Sequence, residues 1–160
     1  MLVLHLLGAT VLAWWLDDLS ATSWFLALAA GYPLFRVLGV LLPVCRLYAR
    51  RIEVGTVFVL WYTWKVVAAT LDVALIVLNP RRQVSSAVVK VPIKTRDRRL
   101  VTIIGCLLTL TPGTLALDYN EYDGDLYVHI LDTASADPVF SAVAEIEQRL
   151  MAWVYPGGEA

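Results

Sequence analysis

The sequence predicts a membrane α-helical N-terminal half followed by a small cytoplasmic α+β domain with the order β-α-β-β-α and an antiparallel sheet. Of the 160 residues, 59% are hydrophobic and 17% are charged, against about 45–50% and about 25% in soluble domains. Residues 1–79 carry only nine of the charged side chains, which is a membrane composition. We therefore predict two membrane-spanning helices in residues 1–53, a third membrane or interfacial helix with a basic linker in 54–84, and the α+β domain in 85–160.

The first apolar run, Leu2–Leu16, predicts an uncleaved membrane helix that ends at Asp17-Asp18. It lacks the basic segment and the small-residue cleavage site of a signal peptide. His5 leaves two interpretations open. It is either a polar residue near a helix end or a proton relay.

The second apolar run, Trp24–Val44, predicts another membrane helix, for which Ser20 is a candidate N-cap. Gly31 and Pro33 interrupt the run, and both are tolerated where neighbouring helices cover the backbone. We expect Arg36 either to extend its charge to the membrane surface or to pair with a partner subunit.

The third apolar run, Val54–Leu78, is long enough to span but carries Lys65 and Asp72 in its middle. Each charge costs roughly 2.5–3.5 kcal/mol at a bilayer centre. Basic clusters at 46–51 and 81–99 flank the run, and the positive-inside rule places both in the cytoplasm. This favours a helix at the cytoplasmic interface, although its length leaves a true span open. Lys65 and Asp72 then contact partner subunits or lipid headgroups, or else line an ion pathway.

The C-terminal part shows the periodicity of a packed domain. Val89, Val91 and Ile93 alternate with Lys90, Pro92 and Lys94 and predict a strand, which Pro92 places at a sheet edge. A helix, a strand, a turn and a third strand follow, in this order: Arg99–Leu110, Thr114–Tyr119, Asn120–Gly124 and Asp125–Leu131. A final helix is predicted from its apolar spacing, with Asp137 as the N-cap before Pro138.

The stretch Leu100–Leu117 is the centre of this domain, because an apolar helix stops there at a sharp turn. Pro112 cannot continue a helix, and Gly113 is expected to adopt a positive φ. Three threonines surround the turn: Thr109, Thr111 and Thr114. Their hydroxyls either cap the helix end or line a polar site.

No residue pattern indicates an enzyme, a metal centre or a cofactor. The net charge of −1 argues against a nucleic-acid partner. Cys45 and Cys106 are interpreted as buried thiols. Acidic residues and one histidine gather near the predicted hairpin, and we interpret them as a solvated turn because they lack metal-ligand spacing. They are Asp118, Glu121, Asp123, Asp125, His129 and Asp132.

The segment LLTLTPGTL at Leu107–Leu115, followed by Asp118 and by YVHILD at Tyr127–Asp132, resembles the E subunit of the multisubunit Mrp-type (Mnh/Pha) cation/proton antiporters of bacteria. The resemblance covers most of the chain and is strongest over residues 100–132. Trp64-Lys65 is the nearest match to a Trp-Lys pair of that family. The acidic residue that usually follows this pair closely appears here only at Asp72.

The resemblance implies a small subunit of a hetero-oligomeric sodium/proton antiporter in the bacterial plasma membrane. Its expected partners are the lipid bilayer and the other subunits, which handle sodium and protons. Its expected role is assembly and structure without catalysis. The alternative function is a stand-alone, membrane-anchored regulatory or ligand-binding domain. Arg36, Lys65 and Asp72 favour the first reading, since charges near membrane depth need covering partners.

Overall fold

The computed structural model describes residues 1–17, 20–79, 81, 84–132 and 136–155. The chain divides into two compact units, Met1–Thr56 and Val57–Ala160. Three helices precede the α+β domain: α1 (Leu2–Trp15), α2 (Ala21–Leu38) and α3 (Pro43–Leu78). The domain then follows as β1 (Ala87–Pro92), α4 (Arg98–Leu110), β2 (Thr114–Asn120), β3 (Asp125–Ile130) and α5 (Ala136–Val154). The predicted apolar helical N-terminal half, the antiparallel α+β domain and its β-α-β-β-α order are confirmed. Predictions for Asp18, Arg82 and Pro156–Gly158 lie outside the described residues.

The third helix differs from its prediction, because α3 begins at Pro43 and not near Val54. Proline suits the first turn of a helix, and the following residues are mostly good helix formers. The basic cluster at 46–51 is therefore helical. α2 ends earlier than predicted, at Leu38, and Gly39 follows it. A Cβ on Gly39 would lie 2.9 Å from the Arg46 Cα, so only glycine fits this close approach.

The first unit contains packed helices with small residues at their contact. Ala9 and Ala13 of α1 and Ala27 of α2 are buried together, as expected where helices approach closely. Ser20 is the N-cap of α2 and accepts a hydrogen bond from the Ser23 amide, as predicted. Helix α1 has 14 residues, or about 21 Å, which is shorter than the roughly 30 Å hydrocarbon core. Among the described helices, α2 and α3 are long and apolar enough to cross a membrane.

The sheet has the strand order β1-β3-β2 and both of its pairings are antiparallel. β1 is an edge strand, which confirms the prediction from Pro92, and β3 is the central strand. Alternate residues of β3 face the core with residues of β1, while α4 and α5 pack on the same side. The largest fully buried side chains are Leu100, Ile104, Ile130, Leu150, Val91, Val128 and Val143.

The start of α5 corrects one prediction. The helix begins at Ala136, so Asp137 lies in its first turn and is not the N-cap. The first amides of a helix have no intrahelical acceptor, so Pro138 is accommodated there without losing a bond. The Asp137 carboxylate still lies where the helix dipole favours negative charge.

Candidate functional site

The TPGT turn connects α4 to β2 through a set of local hydrogen bonds. The Thr111 amide ends the helix by bonding to the carbonyls of Leu107 and Leu108. Gly113 has a φ of +92°, which confirms the predicted positive φ. The Gly113 carbonyl accepts a 2.9 Å hydrogen bond from the Leu131 amide. The turn is therefore tied to the end of the central strand.

The threonine hydroxyls add hydrogen bonds to carbonyls in the last turns of α4. Thr111 Oγ1 donates to the Leu107 carbonyl at 3.0 Å, and Thr114 Oγ1 donates to the Leu108 carbonyl at 2.6 Å. Thr109 Oγ1 donates to the Gly105 carbonyl and accepts from the Ala116 amide. Since helix ends leave four carbonyls without intrahelical donors, this geometry favours the capping interpretation.

A groove of about 370 Å³ lies beside the turn, and we call it the α3–α5 groove. Its walls are α3, the TPGT turn and the first turns of α5. It brings together seven candidate residues that the sequence singled out separately, namely Lys65, Asp72, Thr111, Pro112, Gly113, Thr114 and Asp132. Thr109 is not among its lining residues. Arg36 belongs to the other unit, where its Nε lies 3.0 Å from Glu53.

Lys65 forms an ion pair with an acidic residue of the same chain. Its Nζ lies 3.2 Å from Oε2 of Glu145 on α5, and Glu145 also accepts hydrogen bonds from Arg149. Lys65 and Arg149 lie over the ring of Trp61, at 5.5 and 4.4 Å from its centroid. Burial alone would raise the pKa of Glu145, but hydrogen bonds from Arg149 and Lys65 hold it below its ordinary value.

Asp72 also lines the groove, but unlike Lys65 it has no ion-pair partner among the described residues. Within the described part of the chain, Asp72 has no hydrogen bond and no ion pair, and its side chain is exposed. Its neighbour Val73 places Cγ2 3.4 Å from the position that a Gly113 Cβ would occupy. A carboxylate in such an apolar helix costs roughly 2.5–3.5 kcal/mol if it reaches a bilayer centre alone.

The part of α3 that lines the groove has two different faces. On the side of the α+β domain, Phe58 packs near Trp153 and the Tyr62 hydroxyl donates to the Leu107 carbonyl at 2.6 Å. Another face carries a row of apolar side chains that are 45–78% exposed. We call this row the α3 stripe: Leu60, Trp64, Val67, Leu71, Leu75 and Leu78. It extends about 27 Å, and the sequence signal for it was apolar spacing of three and four residues.

The remaining candidates are accounted for by local structure. Within the described ranges, no three His, Cys, Asp or Glu side chains come together to hold a metal. Three of the hairpin carboxylates pair with basic residues: Asp125 and Asp123 with Lys90 at 2.9 and 3.7 Å, and Glu121 with Arg98 at 2.6 Å. Cys45 is buried as expected, but Cys106 is exposed. Cys106 was assigned to the core because it lies in an apolar run, yet it lies on the outer face of α4.

His5, the candidate relay, is buried. One ring nitrogen lies 2.8 Å from the Leu28 carbonyl and the other lies 2.9 Å from the Tyr48 hydroxyl. A Cβ on Gly31 would lie 2.8 Å from the ring, so this glycine makes room for the histidine. Both ring nitrogens therefore have partners in the helices around them, which favours a packing role.

An apolar helical region joined to a compact α+β domain, with an exposed apolar stripe on the connecting helix, defines a small membrane-associated protein. Residues 6–154 match the family described as Na+/H+ ion antiporter subunit, and the chain belongs to that family. The resemblance seen in the sequence is thereby confirmed.

Two curated relatives are E subunits of cation/proton antiporters by name. The chain is 26% identical over 102 residues to the E subunit of a Na(+)/H(+) antiporter from Alkalihalophilus pseudofirmus, covering 64% of this chain and 65% of the relative. It is 31% identical over 81 residues to the E subunit of a probable K(+)/H(+) antiporter from Rhizobium meliloti, covering 50% of each chain. The chain thus spans 50–65% of the length of these relatives.

Solved structures of membrane complexes are also similar. One is a chain of the Mrp complex from Dietzia sp. DQ12-45-1b, with 23% identity and a TM-score of 0.47 over 66% of this chain and 96% of that chain. Another is a chain of an archaeal membrane-bound sulfane sulfur reductase, with 21% identity and a TM-score of 0.45 over 79% of this chain and 81% of that chain.

Proposed function

We propose that the chain is an accessory subunit of a multisubunit sodium (cation)/proton antiporter in a bacterial plasma membrane. Its role there is to support the assembly and activity of the complex, while other subunits move the ions. The α3 stripe carries this proposal on the structural side, because six large apolar side chains in one exposed row are costly in water. A bilayer or a membrane partner removes that cost. The identity of the transported ions is inferred from the family description and from the names of the relatives.

The proposed arrangement has α1 and α2 inserted in the membrane and α3 at its cytoplasmic surface, with the α+β domain in the cytoplasm. Residues between Phe58 and Val73 on α3 contact the α+β domain. This face of α3 therefore cannot face lipid, which supports a position at the membrane surface. The positive-inside rule supports it as well, because basic residues lie before and after this apolar segment. The short α1 requires local thinning of the bilayer or flanking polar groups near both surfaces.

A non-enzymatic role is proposed for the same chain. Lys65 is paired with Glu145 and Arg36 with Glu53, so two of the three charges expected at membrane depth are neutralised within the chain. The hairpin carboxylates Asp125 and Glu121 are paired with surface cations. These contacts favour a structural subunit over an ion-translocating one.

The experiment is extraction of the chain in a mild detergent from cells that express the whole antiporter, followed by sizing and mass spectrometry. We expect a large assembly that contains other antiporter subunits. A lone species of 17.8 kDa plus its detergent would support the stand-alone domain instead.

A matched pair of variants makes this test specific to the stripe. Leu71→Gln combined with Leu75→Gln should reduce the amount of assembly, because both residues belong to the α3 stripe. Thr70→Ala is the control, since Thr70 is exposed on the same helix and its hydroxyl donates to the Val66 carbonyl of that helix. Equal assembly of the two variants would show that the stripe has no role.

A further inference from the structure

We infer that the α3–α5 groove receives an apolar membrane segment of another antiporter subunit, and that Asp72 pairs with a lysine or arginine on that segment. This inference rests on the proposed function and names the chemistry of the partner at one site.

The shape of the groove suits a packed segment. Small residues form part of its lining: Ala68, Ala69, Ala142 and Gly113. Small side chains allow another backbone to approach closely. Larger apolar residues complete the walls, among them Val73, Ile76, Val139 and Ile146. The cavity of about 370 Å³ therefore has mainly apolar walls, and its polar lining residues are Tyr62, Lys65, Asp72, Thr111, Thr114 and the buried Asp132.

The charges of the groove select a cationic occupant. Lys65 is already paired with Glu145, so it offers no free positive charge. Asp72 has no partner within the described part of the chain. An apolar segment that covered Asp72 without a counter-charge would bury a lone carboxylate, which is unfavourable. A segment with one lysine or arginine fills the apolar walls and neutralises Asp72, as membrane-embedded charges commonly do. A lipid chain would fill the apolar walls but would not neutralise Asp72.

The position of Asp72 indicates the direction from which the partner approaches. Leu75 of the α3 stripe follows Asp72 by three residues, so the two side chains are neighbours on the helix surface. The Asp72 edge of the groove is therefore continuous with the face that we assign to the membrane. A membrane segment reaches this edge without crossing the α+β domain.

Crosslinking in the assembled antiporter tests the occupant. A photoreactive amino acid replaces Ala69 inside the groove, and Thr70 is the matched control position on another face of α3. We expect Ala69 to capture a peptide of another antiporter subunit, identified by mass spectrometry as an apolar segment with a lysine or arginine. Capture of lipid alone at Ala69, or the same peptide at both positions, would overturn the inference.

A charge series tests Asp72 itself, with assembled complex as the readout. Asp72→Glu should retain assembly. Asp72→Asn should lower it at least about tenfold, as removal of one member of a desolvated ion pair does. Asp72→Lys should abolish assembly, and changing the captured lysine or arginine to aspartate should restore it. Asp118→Asn is the control on an exposed strand.

The outcomes separate this inference from the proposed function. If the unchanged chain is absent from any large assembly, the proposed function fails. If that chain assembles and Asp72→Asn assembles equally well, only the groove inference fails. The thermal stability of each variant chain in detergent is measured alongside, and it should not change, because the exposed Asp72 has no hydrogen bond or ion pair among the described residues.

Discussion

Lys65 on α3 lies 3.2 Å from Glu145 on α5, so one ion pair joins two helices through residues that are 80 positions apart in the sequence. The side chains are 46% and 35% exposed, and Trp61 lies under both Lys65 and Arg149. A lysine in the middle of an apolar run is here a contact between a helix and its own α+β domain. This relationship makes an ion-pathway role unnecessary for Lys65.

The strength of this pair can be measured with a double-mutant cycle. Lys65→Met, Glu145→Gln and the double variant should give a coupling free energy of about 0.2–1 kcal/mol, because solvent screens a partly exposed pair. The measurement is denaturant unfolding of the full chain in detergent. A parallel cycle of Lys65→Met with Asp118→Asn should give no coupling. Zero coupling between Lys65 and Glu145 would show that α3 does not lie against α5 in this way.

Gly113→Val should destabilise the TPGT turn by about 1–2 kcal/mol, because φ is +92° and β-branched residues are strained there. The new side chain would also point at Val73 and Leu131. The readout is the thermal unfolding of the full chain and the amount of assembled antiporter, and both should fall.

Gly105→Ala is the matched control for Gly113→Val. Gly105 lies inside α4, and an added Cβ would meet Ala116 at 3.5 Å, which is ordinary contact. This variant should be neutral or stabilising by up to about 1 kcal/mol, since alanine favours a helix over glycine. A Gly113→Val protein as stable as Gly105→Ala would contradict the requirement for a positive φ.

Much of the α+β domain could be predicted because each element leaves a local signature. Val91 and Ile93 alternate with polar residues, and Val139 to Leu150 recur at helical spacing, so both patterns identified their buried faces. Pro112-Gly113 identified the turn for backbone reasons alone. These predictions needed no information about distant residues.

The groove could not be predicted, because it depends on contacts between segments that are far apart. No local pattern indicates that Lys65 meets Glu145 or that Asp72 and Gly113 line the same groove. The start of α3 was missed because arginines at 46–51 resemble a linker, although arginine is a good helix former. The exposure of Cys106 was missed because a mostly apolar helix still has an outer face.

The hydrogen bonds of Asp97 predict that the stability of the fold decreases at acidic pH. Its carboxylate caps α4 by accepting from the Arg99 amide, and Tyr155 donates to it at 2.9 Å. These bonds hold its pKa below the ordinary value. The resulting stability is present above the unfolded pKa of about 3.9 and is lost as the pH falls through the lower folded value.

Asp97→Asn isolates this effect, because asparagine also caps helices. At neutral pH the wild-type chain should unfold at a higher temperature than the variant. The difference should shrink below about pH 4, as the wild-type carboxyl is protonated. A difference that stays constant from pH 6 to pH 3 would show that the Asp97 charge does not contribute.

The two cysteines should react at different rates with a maleimide probe. Cys106 is exposed on α4 and Cys45 is 3% exposed, so we expect fast labelling of Cys106 and slow labelling of Cys45. Thiol reactivity requires access to the thiolate. Cys106→Ser should remove the fast phase, and Cys45→Ser should leave it intact. A fast phase that survives Cys106→Ser would contradict the described outer face of α4.

The most direct test of the structural role compares His129→Ala with deletion of the whole chain. His129 lies on the central strand opposite Val88 and Leu115, and it is the histidine nearest the hairpin carboxylates in sequence. Sodium-dependent proton exchange is measured in everted membrane vesicles, and the assembled complex is quantified in the same preparations. We predict that deletion removes complex and exchange together, whereas His129→Ala retains both. A His129→Ala protein that assembles fully yet supports no exchange would contradict the account, because the domain would then carry chemistry.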